Sequence, residues 1–323
     1  MKTGIIRVGF AMFALAGLPL LGAGDEKTDA PQKIEVIRQV ADQGDAKAQC
    51  ALGERYLEGD GIKQDDAEAA KWYRKAADQG FAEAQFMLGA MYFQGNGMPQ
   101  DNAEAGKWIR KAAEQGYVRA QCELGVMHSD GQGAPLDYAE AIKWFRKAAE
   151  GGDVRALSNL GAMYGRGQGV PQSNVEALKW YRKAAELGDA MAQSNLGGMY
   201  LHGQGVPADN AEALKWYRKA AEQGTAGAQF NMGLMYAVGE AVPQDDIEAC
   251  AWMMLSGVAN DARRKPAWDV VSKRLAPEAL AKARLRAKEL QAEIKKKAED
   301  IGKIPEGKKA QEKPEPKPGP NIS

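Results

Sequence analysis

The chain has 323 residues, 45% of them apolar, which is enough for two or three ordinary domains. Lysine plus arginine equals aspartate plus glutamate at 43 each, so no net field gathers nucleic acid or an anionic membrane surface. Three cysteines, Cys50, Cys122 and Cys250, cannot all close into bridges within the chain.

Residues 1–24 have the order of a secretory signal peptide. A basic start, Met1 to Arg7, precedes a mostly apolar stretch from Val8 to Leu21 and the small residues Gly22, Ala23 and Gly24. The apolar run falls short of the roughly 20 residues that span a bilayer, so cleavage near Gly24 and a periplasmic or secreted product are expected. No cysteine follows the run to carry a lipid, and no membrane contact beyond the signal peptide is expected. Residues 25–44 are expected to form an N-terminal capping helix, because Ala41-Asp42-Gln43-Gly44 returns as Ala77-Asp78-Gln79-Gly80.

From residue 45 to 260 the chain repeats itself. Trp72, Trp108, Trp144, Trp180, Trp216 and Trp252 are each 36 residues apart (108 − 72 = 36), and the text around them returns with them, as Lys71-Trp72-Tyr73-Arg74-Lys75-Ala76-Ala77 does from Lys107, Lys143, Lys179 and Lys215. Units of 45–80, 81–116, 117–152, 153–188, 189–224 and 225–260 follow without an insertion. In each, a first helix A carries a stripe such as Ala84, Leu88 and Tyr92, with Gly89 allowing a close backbone approach. A turn such as Gly95-Asn96-Gly97-Met98-Pro99 must break the helix. Pairs three apart then suggest a capping box opening helix B: Asp65 and Glu68, Asp101 and Glu104, Asp137 and Glu140, Ser173 and Glu176, Asp209 and Glu212, Asp245 and Glu248. Helix B buries Ala, Trp and Ala-Ala, and ends at Gly80, Gly116, Gly152, Gly188 and Gly224, which suit a left-handed terminator. Its Lys and Arg face, as at Lys179, Arg182 and Lys183, is expected to be solvated surface.

Each hairpin has an apolar edge that it cannot bury alone, so the expected fold is all-α: an α/α superhelical solenoid of six 36-residue helix-turn-helix repeats with N- and C-terminal capping helices. Trp180→Ala should then cost about 3–5 kcal/mol. Residues 261–300 are expected to cap the far end, with Trp268, Val270, Val271 and Leu275 on one short helix and Leu280, Leu285, Leu290 and Ile294 on a second opened by Pro277. They would cover the run Ala251-Trp252-Met253-Met254-Leu255, where apolar residues replace the charged face. Residues 301–323, rich in Lys, Glu and Pro, have the composition of a disordered tail.

These residues resemble the Sel-1-like repeat family, relatives of the tetratricopeptide repeats, through the run Ala192-Gln193-Ser194-Asn195-Leu196-Gly197-Gly198-Met199-Tyr200, Gly203-Gln204-Gly205-Val206-Pro207, Ala211-Glu212-Ala213 and Trp216-Tyr217-Arg218-Lys219-Ala220-Ala221. The resemblance covers about residues 45–260 and implies a scaffold or adaptor, many bacterial members of the family being exported. One branch, cysteine-rich bacterial proteins described as β-lactam binders or hydrolases, pairs cysteines in each repeat. Cys50, Cys122 and Cys250 are not so arranged, and an enzyme acting on β-lactams or cell-wall peptides is the alternative reading.

Nothing in the sequence has the spacing of a catalytic, metal or cofactor site. His128 stands where Tyr92, Tyr164 and Tyr200 stand, which predicts packing rather than catalysis, and no His/Cys cluster or phosphate loop is present. The expectation is therefore a non-enzyme that binds a protein or peptide and no nucleic acid. The helix A side that varies between repeats is the candidate surface: Phe86, Arg119, Arg155, Asn159, Arg166, Asn195, His202, Phe230 and Asn231. Asn159, Asn195 and Asn231 recur one per repeat, a row that either meets an extended backbone or bonds within the array. Arg155→Glu should weaken binding without unfolding the chain.

Overall fold

The computed structural model describes residues 30–258 and 261–302, so the signal-like segment 1–24 and residues 303–323 of the tail lie outside it. Every regular element among the described residues is a helix. The lone helix α1 (Ala30–Asp42) precedes six hairpins: α2 (Ala46–Glu58) with α3 (Asp66–Asp78), α4 (Ala82–Gln94) with α5 (Asn102–Glu114), α6 (Val118–Asp130) with α7 (Tyr138–Glu150), α8 (Val154–Arg166) with α9 (Asn174–Glu186), α10 (Ala190–His202) with α11 (Asn210–Glu222), and α12 (Ala226–Val238) with α13 (Asp246–Leu255). Two helices, α14 (Lys265–Ser272) and α15 (Pro277–Gly302), follow. The chain forms two compact units that divide within α9, one up to Trp180 and one from Tyr181.

Helix B starts where its sequence indicates, but its first turn is satisfied differently from a capping box. The carboxylate of Asp101 accepts from the Ala103 and Glu104 amides, and Asp137, Asp209 and Asp245 do the same in their repeats. The glutamate three residues on does not reach back, because the cap residue's own N–H already donates to helix A: Asp101 N–H to the Tyr92 carbonyl, Asp137 to His128, Ser173 to Tyr164, each at 2.9 Å. That bond ties the end of one helix to the start of the next. The freed glutamates pair with a lysine one turn on, as in Lys107–Glu104 and Lys143–Glu140 at 2.5 Å. These exposed pairs add little to stability in water. The closing glycines take up the left-handed backbone expected, as at Gly80 (φ 88) and Gly152 (φ 90).

Close approach of the helices within a hairpin depends on the helix A glycine. A Cβ at Gly125 would lie 2.7 Å from the Phe145 ring, and one at Gly89 2.6 Å from Ile109. Between repeats the tryptophan is the coupling residue. Trp144 of α7 packs on Phe86 and Ile109 of the preceding hairpin and on Leu124 and Met127 of its own, and Trp108 of α5 packs in the layer formed by α2, α3 and α4. A lysine three residues on covers each ring: Lys111 is 3.9 Å from the Trp108 centroid and Lys147 4.2 Å from that of Trp144. The B-helix face is thus partly engaged, not only solvated. Trp180 is an exception, being only partly buried.

Two polar ladders repeat with the same period. An arginine of helix B donates to the tyrosine hydroxyl of the following helix A, as in Arg146–Tyr164 at 2.8 Å and Arg218–Tyr236 at 3.2 Å. At His128 the ladder keeps its shape with an imidazole. Nδ1 faces the Pro135 carbonyl at 2.9 Å and must donate, so Nε2 is left to accept from Arg110 at 2.9 Å. His128 is a packing residue, as expected. The second ladder uses the buried glutamine early in helix A. Gln85, Gln121, Gln193 and Gln229 donate to the last carbonyls of the preceding helix B, Ala77, Ala113, Ala185 and Ala221. Gln115 and Gln223 add bonds to Gln85 and Gln193, at 2.7 and 2.8 Å.

At the C-terminal end α15 covers the apolar run of α13, as expected, but with another face. Ala283, Ala287 and Leu290 are buried and Ile294 packs beside them, while Leu285 is 60% exposed. Val271 of α14 is buried and Val270 is exposed. Small residues let α15 lie close to α13, and the polar side completes the contact. Arg286 Nε donates to Glu248 at 2.9 Å, and the same carboxylate accepts from Trp252 Nε1 at 3.1 Å. Glu248 has no lysine one turn on, since Ala251 stands there, so the last repeat spends its first-turn glutamate on the cap.

Candidate partner-binding face

Helix A places its second and sixth residues one turn apart, on the side that the repeat packing leaves open. In the first unit these are Lys47, Glu83, Arg119 and Arg155 at the second place, and Ala51, Met87, Glu123 and Asn159 at the sixth. The resulting charges alternate in sign. Arg119 faces Glu83 and Glu123, and Arg155 faces Glu123 and Asp153. Burial raises the Glu83 carboxyl above its ordinary value, with Arg119 and Lys47 pulling against it.

Glu123 was not among the sequence candidates. It is largely enclosed, and burial pushes its carboxyl up to about 7; Arg155 and Arg119 oppose the shift, while Asp130 and Asp153 add to it. Its folded-state value is therefore above the unfolded one. The associated stability is complete in acid below the ordinary carboxylate range and is lost as pH rises through about 7. Glu123→Gln should melt higher than the unchanged protein at pH 8, with the difference closing toward pH 5. Thermal scans at the two pH values check this, and a constant difference would contradict it.

The sequence candidates of the first unit divide. Arg119 and Arg155 are half-buried and bear on the open face. The Arg155 guanidinium is 3.5 Å from Asp153, whose carboxylate also caps α8 through the Ala156 amide at 3.0 Å. Asn159 is 8% exposed, and its carboxamide has no hydrogen-bond partner among the described residues. Its polar atoms are nevertheless not sealed from solvent. Arg166, three turns beyond Arg155, is exposed in the last turn of α8. Phe86 does not belong with them. At 2% exposure it lies inside the stack, its ring 5.4 Å from that of Tyr117 and roofed by Arg119 at 5.1 Å. Cys122, at the equivalent place, is fully buried, and burial holds its thiol well above the ordinary range.

In the second unit Asn195 is half-buried and His202 is exposed at the end of α10. Asn231 instead lies against the Tyr217 phenol, which burial pushes up to about 12. The amide row thus splits: Asn231 is engaged inside the array and Asn159 is not. Phe230 is covered from the C-terminal segment, with the Arg264 guanidinium 5.5 Å from its ring and Val258 and Val271 in the same cluster. Phe86 is therefore a packing residue rather than a partner contact, while Phe230 is half-buried against the C-terminal segment. Among the described residues no three His, Cys, Asp or Glu side chains converge as metal ligands would, and no helix is long and apolar enough to cross a membrane.

Helical hairpins stacked on their own copies, with one side of helix A left out of the stack, define a helical-repeat scaffold. The chain belongs to the Sel1 repeat family: residues 46–81, 82–117, 118–153, 154–189, 190–225 and 226–253 each match the Sel1 repeat. Proteins of this family mediate protein–protein interactions. Among solved structures the chain is similar to a Sel1 repeat protein from Oxalobacter formigenes, with 33% identity over 71% of this chain and 97% of that one and a TM-score of 0.63. It is more distantly similar to c5321, a protective antigen of uropathogenic Escherichia coli strains displaying an SLR fold (25% identity, 91% and 93% of the two chains, TM-score 0.45). A Sel1 repeat protein from Klebsiella pneumoniae gives 24% identity over 63% and 99%, with a TM-score of 0.42. No curated protein matches the chain.

Proposed function

We propose that this protein is an exported, non-enzymatic scaffold that holds an extended peptide segment of a partner protein along the open side of α4, α6 and α8. The observation that carries this reading is the Asn159 carboxamide, nine-tenths buried and without a hydrogen-bond partner among the described residues. Its polar atoms still reach solvent, and an extended backbone offers both the donor and the acceptor that the array does not supply. Export is supported by the basic, then apolar, then small-residue order of residues 1–24.

Binding is tested with the purified chain and a library of random decapeptides. The protein should retain a fraction of the pool, and Asn159→Leu, which keeps the side chain's volume, should reduce retention about tenfold with little change in melting. Equal retention by the variant would overturn the reading. Fractionation of cells making the tagged chain, with and without residues 1–24, tests the export: a cytoplasmic location for both would remove it.

A further inference from the structure

In every helix B the tryptophan follows the first-turn glutamate by four residues, and the pair is found in two arrangements. In the last repeat the indole Nε1 of Trp252 donates to Glu248 at 3.1 Å. In the second and third repeats the indole N–H groups of Trp108 and Trp144 are buried and have no hydrogen-bond partner, and each residue is only 7% exposed. Glu104 and Glu140 lie further out, with side chains 36% exposed and carboxylates 2.5 Å from Lys107 and Lys143. Glu248 has Ala251 where the lysine stands and is 18% exposed. Its second oxygen accepts from Arg286, which comes from α15, so a cation on that side is compatible with the indole bond. A lysine one turn along the same helix draws the carboxylate outward instead.

We propose that Glu104 and Glu140 are two-position clasps, each exchanging between its surface lysine and the buried indole N–H of its own helix, and that screening or loss of the lysine charge moves the carboxylate to the indole. A buried N–H without an acceptor costs more than an exposed ion pair returns, so the indole is the stronger claimant once the lysine is weakened. Salt weakens the lysine pair, which lies open to water, and acts little on a bond to an enclosed ring. Residues four apart lie on one side of a helix, and Trp252 with Glu248 shows that the reach suffices. The change is a side-chain rotation: Asp101 and Asp137 continue to hold the first-turn amides, and Lys111 and Lys147 remain over the ring faces. Its effect falls on the joints between repeats, because Trp144 packs on Phe86 and Ile109 of the preceding hairpin and Trp108 on the layer before its own. Charge on the helix B surface thereby sets how firmly two joints of the stack are held, whatever the open face binds.

The test follows the indole N–H resonances of the full chain by nitrogen-15 NMR, with Trp108→Phe and Trp144→Phe to assign the two signals. Lys107→Ala and Lys143→Ala should each move the matching signal downfield, toward that of Trp252, and slow its exchange with deuterium several-fold. Raising sodium chloride from about 20 to about 500 mM should move both signals part of the way in the unchanged protein and leave that of Trp252 in place. Adding Glu140→Ala to Lys143→Ala should return the Trp144 signal to its starting position. The same pair of variants is read by melting: Lys143→Ala should melt no lower than the unchanged chain although an ion pair is gone, and the double variant should melt several degrees below Lys143→Ala. Indole signals unmoved by either lysine variant would overturn the proposal, as would a shift that survives Glu140→Ala. Signals already downfield and protected at low salt, and unchanged by lysine removal, would mean that the glutamates hold the indoles throughout and would equally remove the exchange.

Discussion

Trp144→Ala is expected to destabilise the protein by about 3–5 kcal/mol and to broaden its thermal transition. The indole is buried and packs both on α6 of its own hairpin and on α4 and α5 of the preceding one, so truncation opens a cavity at the joint between repeats. Lys147 loses the ring face that it covers, and Phe86, Ile109 and Leu124 lose packing together. Circular dichroism melting checks this. A sharp transition at the unchanged temperature would mean that the joint closes without the ring. The same change at Trp180, which is only partly buried, should cost less than the tryptophan count alone suggests.

Gly106→Ile is the second large effect, and repeat statistics point the other way. Ile142, Leu178 and Leu214 occupy the equivalent place in the next three repeats, and glycine within a helix costs up to about 1 kcal/mol relative to alanine, so replacing it looks favourable. In this repeat the Gly133 turn of the next hairpin comes down onto α5: a Cβ at residue 106 would lie 1.8 Å from the Gly133 carbonyl oxygen and 2.7 Å from its carbon. Backbone, not a flexible side chain, would have to move. The variant should lose about 3 kcal/mol. Melting equal to or above that of the unchanged chain would show that the turn retreats freely.

The glycines, tryptophans and acidic caps made the hairpins legible from the sequence because each is a local requirement met within a few residues. The errors arose where a residue's role depends on a neighbouring element. Phe86 varies between repeats, as Cys122 and Ser158 do at the same place, and in the sequence such variation reads as exposure. All three are buried, so the variation records how much volume each joint accepts. Phe230 varies likewise and is covered by a segment whose docking no periodicity within the repeats announces. On α15 the leucine spacing includes Leu285, which is exposed, whereas close contact with α13 selects Ala283 and Ala287 beside Leu290. Glu123 was hidden because only the later repeats carry asparagine at its place, and nothing local reveals that two arginines from adjacent helices converge on it. The capping glutamates failed as box members for a related reason, since the bond from the cap N–H to helix A is a contact across the turn.

The ties along this chain all have short reach. The arginine ladder joins residues 18 apart and the glutamine ladder residues 30 apart, so no stretch must find a distant one for the repeats to assemble. Low contact order of this kind favours rapid folding that can begin in any hairpin and spread to its neighbours. It also gives the molecule a natural unit of length: loss or gain of one 36-residue segment would bring matching edges together, and the chain could grow or shrink without redesign of either end.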